Sequence, residues 1–136
     1  MDEAKRQLVQ TWLLKADHDL RSAQRLAEGD DPLLDTAIYH CQQSAEKAVK
    51  GFLVYHDVRA RKTHDIVELS VEAGKLTSDY EALDDAAERL TEYAIGFRYP
   101  NMQLEPTRAE YEQAYQDAAQ FVSITLSLIP VEAHPT

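Results

Sequence analysis

Apolar residues return at steps of three and four along almost the whole chain. Val9, Trp12, Ala16, Leu20, Ala23 and Leu26–Ala27 form a first stripe, and Gly29 supplies a stop. Asp31–Pro32 then reads as an N-cap with proline at the first helical position, followed by Leu34, Ile38, Cys41, Ala45, Ala48 and Phe52. A shorter segment runs from Thr63, as N-cap, through Ile66 and Leu69 to Gly74. Ser78 and Glu81 have capping-box spacing around a stripe of Tyr80, Leu83, Ala87, Leu90, Ala94 and Phe97. Thr107 and Glu110 repeat it ahead of Tyr111, Ala114, Ala118, Phe121, Thr125 and Leu128, with Pro130 as the halt.

These patterns predict long helices near residues 3–28, 32–56, 79–97 and 107–129 and a short one near 64–73. No segment alternates convincingly with period two, so the expected class is all-α. Amphipathic helices of this length bury their stripes only against one another, and short connections make neighbours antiparallel. The expectation is one domain, residues 1–136, forming an up-and-down antiparallel bundle of four long helices and one short one. Trp12, Leu20, Ile38, Cys41, Phe52, Leu83, Leu90, Phe97, Phe121 and Leu128 are its expected core. The stripes on the helices beginning near Pro32 and Asp79 are wide, with Val49 and Leu53 joining the second-helix set. Apolar surface left over there would mark an interaction face, which predicts a homodimer.

A hydrophobic content of 44% with 28% charged residues places the chain among globular proteins rather than disordered tails. Its single cysteine excludes an internal disulfide, and Cys41 lies on an apolar stripe where burial is expected. The chain opens directly into an amphipathic pattern, and no run of apolar residues is long enough to span a bilayer. The expected location is the cytoplasm, with no membrane contact. A net charge of −10 argues against indiscriminate binding to nucleic acid. Positive charge is nevertheless concentrated: residues 47–62 carry Lys47, Lys50, Arg59, Arg61 and Lys62 against Asp57 alone, a local +4 in an otherwise acidic chain. Such a run is either a solvated face or an anion site.

Catalytic motifs are sparse. Four glycines leave little material for a phosphate-binding loop. His40 and Cys41 are adjacent, so on a helix they diverge by about 100° and share an ion poorly. No metal and no cofactor is expected, and His18, His56 and His134 read as surface or packing residues. Two places can hold an anion. One is Thr63-His64-Asp65, in the first turn of a short helix where backbone N–H groups point outward. The other is Arg98-Tyr99-Pro100, where an arginine enters a stiff turn and can present its fork to phosphate or carboxylate.

Several blocks together resemble the HEPN family (higher eukaryotes and prokaryotes nucleotide-binding domain). They are Trp12…Ala16-Asp17-His18-Asp19-Leu20…Ala23, then residues 37–50 with Gln42-Gln43-Ser44-Ala45-Glu46-Lys47-Ala48-Val49-Lys50 at their centre, then Thr63-His64-Asp65-Ile66 and Phe97-Arg98-Tyr99-Pro100. The blocks stand in the family's order from about Gln10 to Leu126. The resemblance implies an antiparallel helical bundle, usually a homodimer, often paired with a small nucleotidyltransferase in a toxin–antitoxin-like system. Many members are metal-independent ribonucleases whose motif is an arginine followed, after four to six residues, by a histidine. That arginine maps onto Arg98, but residues 99–106 contain no histidine. Arg59 and His64 have the spacing too, but in the wrong loop, before the short helix, so that match reads as accidental. The variant with an AMP-accepting tyrosine also needs the missing histidine, so Tyr99 does not qualify as the acceptor.

Three function classes follow. The first is a non-catalytic domain that binds a nucleotide, an RNA phosphate or a nucleotidyltransferase partner through Lys47, Lys50, Arg59, Arg61, Lys62, His64, Arg98 and Tyr99. The second is a metal-independent endoribonuclease toxin using Arg98 with a histidine from elsewhere. The third is a plain helical protein-interaction module. Convergence of Arg98, His64, Lys47 and Lys50 in one cleft favours the first two, and dispersal favours the third.

Overall fold

The computed structural model describes residues 1–59, 62–96 and 105–136, and they form a helical bundle with no strand among them. In chain order the helices are α1 (Glu3–Ala27), α2 (Leu34–Tyr55), α3 (Ile66–Gly74), α4 (Asp84–Gly96) and α5 (Arg108–Leu128). Single 3-10 turns at Glu81–Leu83 and Val131–Ala133 precede α4 and follow α5. The number and order of helices match the sequence pattern, because each stripe found its partner inside the bundle.

α2 is the centre. It packs on α1 over the largest interface and also touches α3, α4 and α5. From Ala48 to Leu53 every residue is buried, so this part of the helix faces protein on all sides. Gly51 marks the closest approach to α1: a Cβ there would lie 3.2 Å from Leu13 Cδ2 and 3.3 Å from Trp12 Cβ. The second-helix stripe expected to leave surface over is instead fully absorbed: Ile38, Cys41, Val49, Phe52 and Leu53 are all buried within one chain. Phe52 meets the Tyr80 ring at 5.3 Å, and the buried Tyr80 hydroxyl shares a 2.7 Å hydrogen bond with Thr125 Oγ1.

The helix ends carry the corrections. Pro32 does not open α2. The helix starts two residues later, with Leu33 as an N-cap that makes no side-chain cap bond, and the Leu33 N–H closes the turn onto Leu26 O at 2.8 Å. Asp65 rather than Thr63 caps α3, accepting from the Glu68 N–H at 3.2 Å, while Thr63 Oγ1 accepts from the Asp65 N–H. The Asp65 carboxylate reaches the first-turn donor itself, so His64 stays outside the helix. The stretch after Ser78 enters α4 through a 3-10 turn. The Thr107–Glu110 capping box forms as expected.

α2 ends in a Schellman closure. The Val58 N–H reaches Leu53 O at 2.8 Å and the Asp57 N–H reaches Val54 O at 3.0 Å. The position that usually takes glycine is held by Asp57 at φ +63°. Lys5 of α1 ties the strained residue down with a 3.1 Å ion pair. Ile38, Cys41, Phe52, Leu83, Leu90 and Phe121 are buried as expected, whereas Trp12, Leu20 and Leu128 are half-buried at the edge of the core. Phe97 lies outside the described residues.

Candidate functional site

Two carboxylates are buried along α2, and each gathers a lysine and a histidine. Helical spacing sets up the first. Gln42, Glu46 and Lys50 lie four residues apart on one side of α2, all of them buried. Glu46 Oε2 accepts from Lys50 Nζ at 3.1 Å, and Glu46 Oε1 stands 2.8 Å from His64 Nδ1 and 3.3 Å from Gln42 Nε2. Gln42 Nε2 also donates to the His64 carbonyl at 2.8 Å. The loop before α3 is therefore pinned to α2 through both the backbone and the side chain of His64.

The chemistry of that arrangement follows from its donors. A carboxylate only accepts, so the His64 Nδ1 carries the hydrogen and, in the neutral ring, Nε2 is left with a free lone pair. The His64 side chain is 70% exposed, so its outer edge is presented to solvent while its inner edge is fixed. Behind Glu46, the Lys50 ammonium lies 5.7 Å from the centre of the Trp12 ring. His64, Glu46, Lys50 and Trp12 thus form one connected polar path from the loop to α1.

The second carboxylate is Asp19 of α1. It accepts from Lys47 Nζ at 2.6 Å and faces His40 Nδ1 at 2.8 Å, both from α2. Ser44 Oγ adds a 2.7 Å bond to Ala16 O along the same seam. On α5, Asp117 receives both arms of Arg89 at 2.9 Å, and Gln113 Nε2 donates to it as well at 2.9 Å. That bidentate pair fastens α4 to α5.

Of the residues singled out in the sequence, Lys50 and His64 are brought together through Glu46. Lys47 faces away from them, onto Asp19. Arg59 and Lys62 are exposed. Arg61, Arg98 and Tyr99 lie outside the described residues. The +4 of residues 47–62 is reduced locally, because Lys47 and Lys50 each neutralise a buried carboxylate that the window excludes. The sequence reading missed Asp19, Gln42 and Glu46 as organising groups. The Glu46–Lys50 spacing was a visible signal, whereas nothing local announces that Asp19 meets residues on the next helix.

Among the described residues no group of three or more His, Cys, Asp or Glu side chains is placed to hold a metal ion. Nor is any helix there long and apolar enough to cross a membrane. The HEPN domain family model matches residues 9–128, which takes in all the elements that build both clusters. The chain belongs to the HEPN family. Its fold is shared with the crystal structure of TT1696 from Thermus thermophilus, at 30% identity and a TM-score of 0.76 over 90% of this chain and 99% of that one. It is also similar to ST0689, an archaeal HEPN homologue, at 25% identity and a TM-score of 0.72 over 90% and 98% of the two chains. No curated protein matches. Within this HEPN chain, both members of the Glu46–His64 pair lie inside the stretch that the family model matches.

Proposed function

We propose that this HEPN domain is a non-catalytic binding module for the phosphate of a nucleotide or RNA, and that it works as a homodimer beside a small nucleotidyltransferase partner in a toxin–antitoxin-like pair. The observation that carries the reading is the presentation of His64. Its ring is held by buried Glu46, its backbone by Gln42, and Arg59 and Lys62 stand exposed in the same connection. Exposed cations in the connection that carries this fixed imidazole suit an anion that arrives from solvent, and the ring itself donates to it when Nε2 is also protonated. Arg61, Arg98 and Tyr99 belong to this reading by sequence. Lys47 and Lys50 hold the scaffold from behind rather than touching the ligand. The absent histidine after Arg98 is the reason for assigning no turnover, since arginine cannot exchange a proton near neutral pH.

Titration with a short RNA and with AMP at two salt concentrations tests the module. Binding should weaken as salt rises and should fall in a Lys62→Ala/His64→Ala/Arg98→Ala variant. Affinity that is absent, or the same in that variant, rejects it. Sedimentation at micromolar concentration tests the dimer, and a mass near 15.4 kDa rejects it.

A second reading has one specific observation behind it. Glu46 orients His64 as a carboxylate orients a general base, and Arg98 is the arginine this reading takes from the sequence. RNA cleavage in EDTA that disappears in His64→Ala would replace the binding module with a ribonuclease.

A further inference from the structure

At the opposite end of the polar path from His64, the first turns of α1 and the end of α2 enclose an open groove of about 630 Å³. That volume lies in the range of small-ligand sites. Leu8, Trp12, Val54 and Val58 provide its apolar lining, and Leu8 is 50% exposed with no protein over it. The polar rim is selective. Asp57 is neutralised by Lys5 at 3.1 Å, and Asp2 Oδ1 is engaged as the α1 cap, accepting from the Lys5 N–H at 2.8 Å. Arg59 also lines the groove and makes no ion pair with any described residue. Behind the indole, buried Lys50 places its ammonium 5.7 Å from the Trp12 ring centre. That ammonium is already paired with Glu46 at 3.1 Å, so the attraction for a negative group comes from Arg59 alone.

We infer that this groove is a binding site for a small planar aromatic anion, with its ring against Trp12 and its carboxylate or phosphate paired with Arg59. Apolar lining and suitable volume suit a flat ring, and the exposed Arg59 guanidinium, which pairs with no carboxylate among the described residues, supplies the partner for its negative group. The groove shares Arg59 with the phosphate reading given above, but the Trp12 resonance and the Leu8→Glu variant report on the groove alone, whereas His64→Ala reports on the phosphate site.

Trp12 is the only tryptophan in the chain, so its indole N–H gives one assigned resonance inside the groove. Full-length protein is titrated with 1-naphthoate and AMP, with their neutral counterparts 1-naphthol and adenosine, and with inorganic phosphate. At least one aromatic anion should move the Trp12 resonance saturably and bind about tenfold more tightly than its neutral counterpart, the factor expected for one charge-assisted pair. Arg59→Ala should remove that advantage. Leu8→Glu, at a position half open to solvent, should weaken the anion by a similar factor while leaving the rest of the spectrum folded. Response to naphthoate alone identifies an aryl carboxylate, and response to AMP alone identifies a nucleotide. The site is refuted by no saturable shift, by neutral compounds binding as well as anions, by inorganic phosphate alone giving the full shift, or by Arg59→Ala having no effect. A Trp12 shift that depends on protein concentration alone refutes it in favour of a second copy of the chain.

Discussion

Asp19 and Glu46 are almost the same construction, with a buried carboxylate between a lysine Nζ and a histidine Nδ1, yet they do different work. Around Asp19 every partner sits on a helix. His40 and Lys47 both come from α2, so the cluster bolts α1 to α2, and His40 is only 28% exposed. Around Glu46 the lysine is on the same helix and the histidine is on a loop. The carboxylate therefore fastens a loop and leaves the imidazole mostly in solvent. What carries the histidine decides whether the triad is mortar or display.

Breaking the carboxylates should expose that difference. Lys50 is 7% exposed, so Glu46→Ala would strand a buried ammonium and should cost about 3–5 kcal/mol in urea unfolding. Adding Lys50→Met should recover most of that loss, since the pair is costly mainly when half of it remains. A loss under about 1 kcal/mol for the single variant would mean that Lys50 escapes to water. Asp19→Ala should cost less, about 1–3 kcal/mol, because Lys47 is 24% exposed and can turn to solvent. Equal losses in the two variants would erase the distinction.

The alkaline limb of stability separates the two sides again. Burial first, then the charges of Asp117 and Asp19, push the Cys41 thiol from its ordinary 9.0 up to about 12. Burial likewise pushes Tyr111 from 10.0 up to about 12. In both cases the folded state holds its proton longer than the unfolded chain. The stability they contribute is therefore intact below about pH 9 and is lost as pH rises towards about 12. Urea midpoints should fall steadily from about pH 9 upward. Asp19→Asn should soften that fall and Glu46→Gln should not, because only the former carboxylate acts on Cys41. A flat profile would show that neither group is protected as described.

The helices were legible because a stripe at steps of three and four has one cheap solution, burial against another stripe. What the pattern could not convey was which lysines serve the core. Lys50 looked like part of a basic face, but it lies beneath Trp12 and four residues from a buried glutamate. Counting charge from Lys47 onward cut off Glu46 by a single residue. Asp19–Lys47 was out of reach on different grounds, since the two are 28 residues apart and meet only once α1 and α2 have packed. Caps failed where two nearby residues could each do the job. Thr63 and Asp65 are both good N-caps, and the longer reach of the carboxylate to the Glu68 N–H decided between them.

The finest comparison is between the two histidines themselves. His64→Ala removes one partner from Glu46 Oε1, but the ring it deletes is largely in water already. Solvent can enter and hydrogen-bond the carboxylate in its place, while Lys50 and Gln42 remain. The expected loss is about 0.5 kcal/mol or less. His40→Ala empties a more enclosed position between α1 and α2, where water replaces the ring less easily, and should cost about 1–2 kcal/mol. RNA or AMP affinity should move the other way, falling in His64→Ala and holding in His40→Ala. Paired urea unfolding and titration on the two variants decide it. If His64→Ala destabilises as much as His40→Ala, His64 is packed rather than displayed, and its claim to a ligand fails with it.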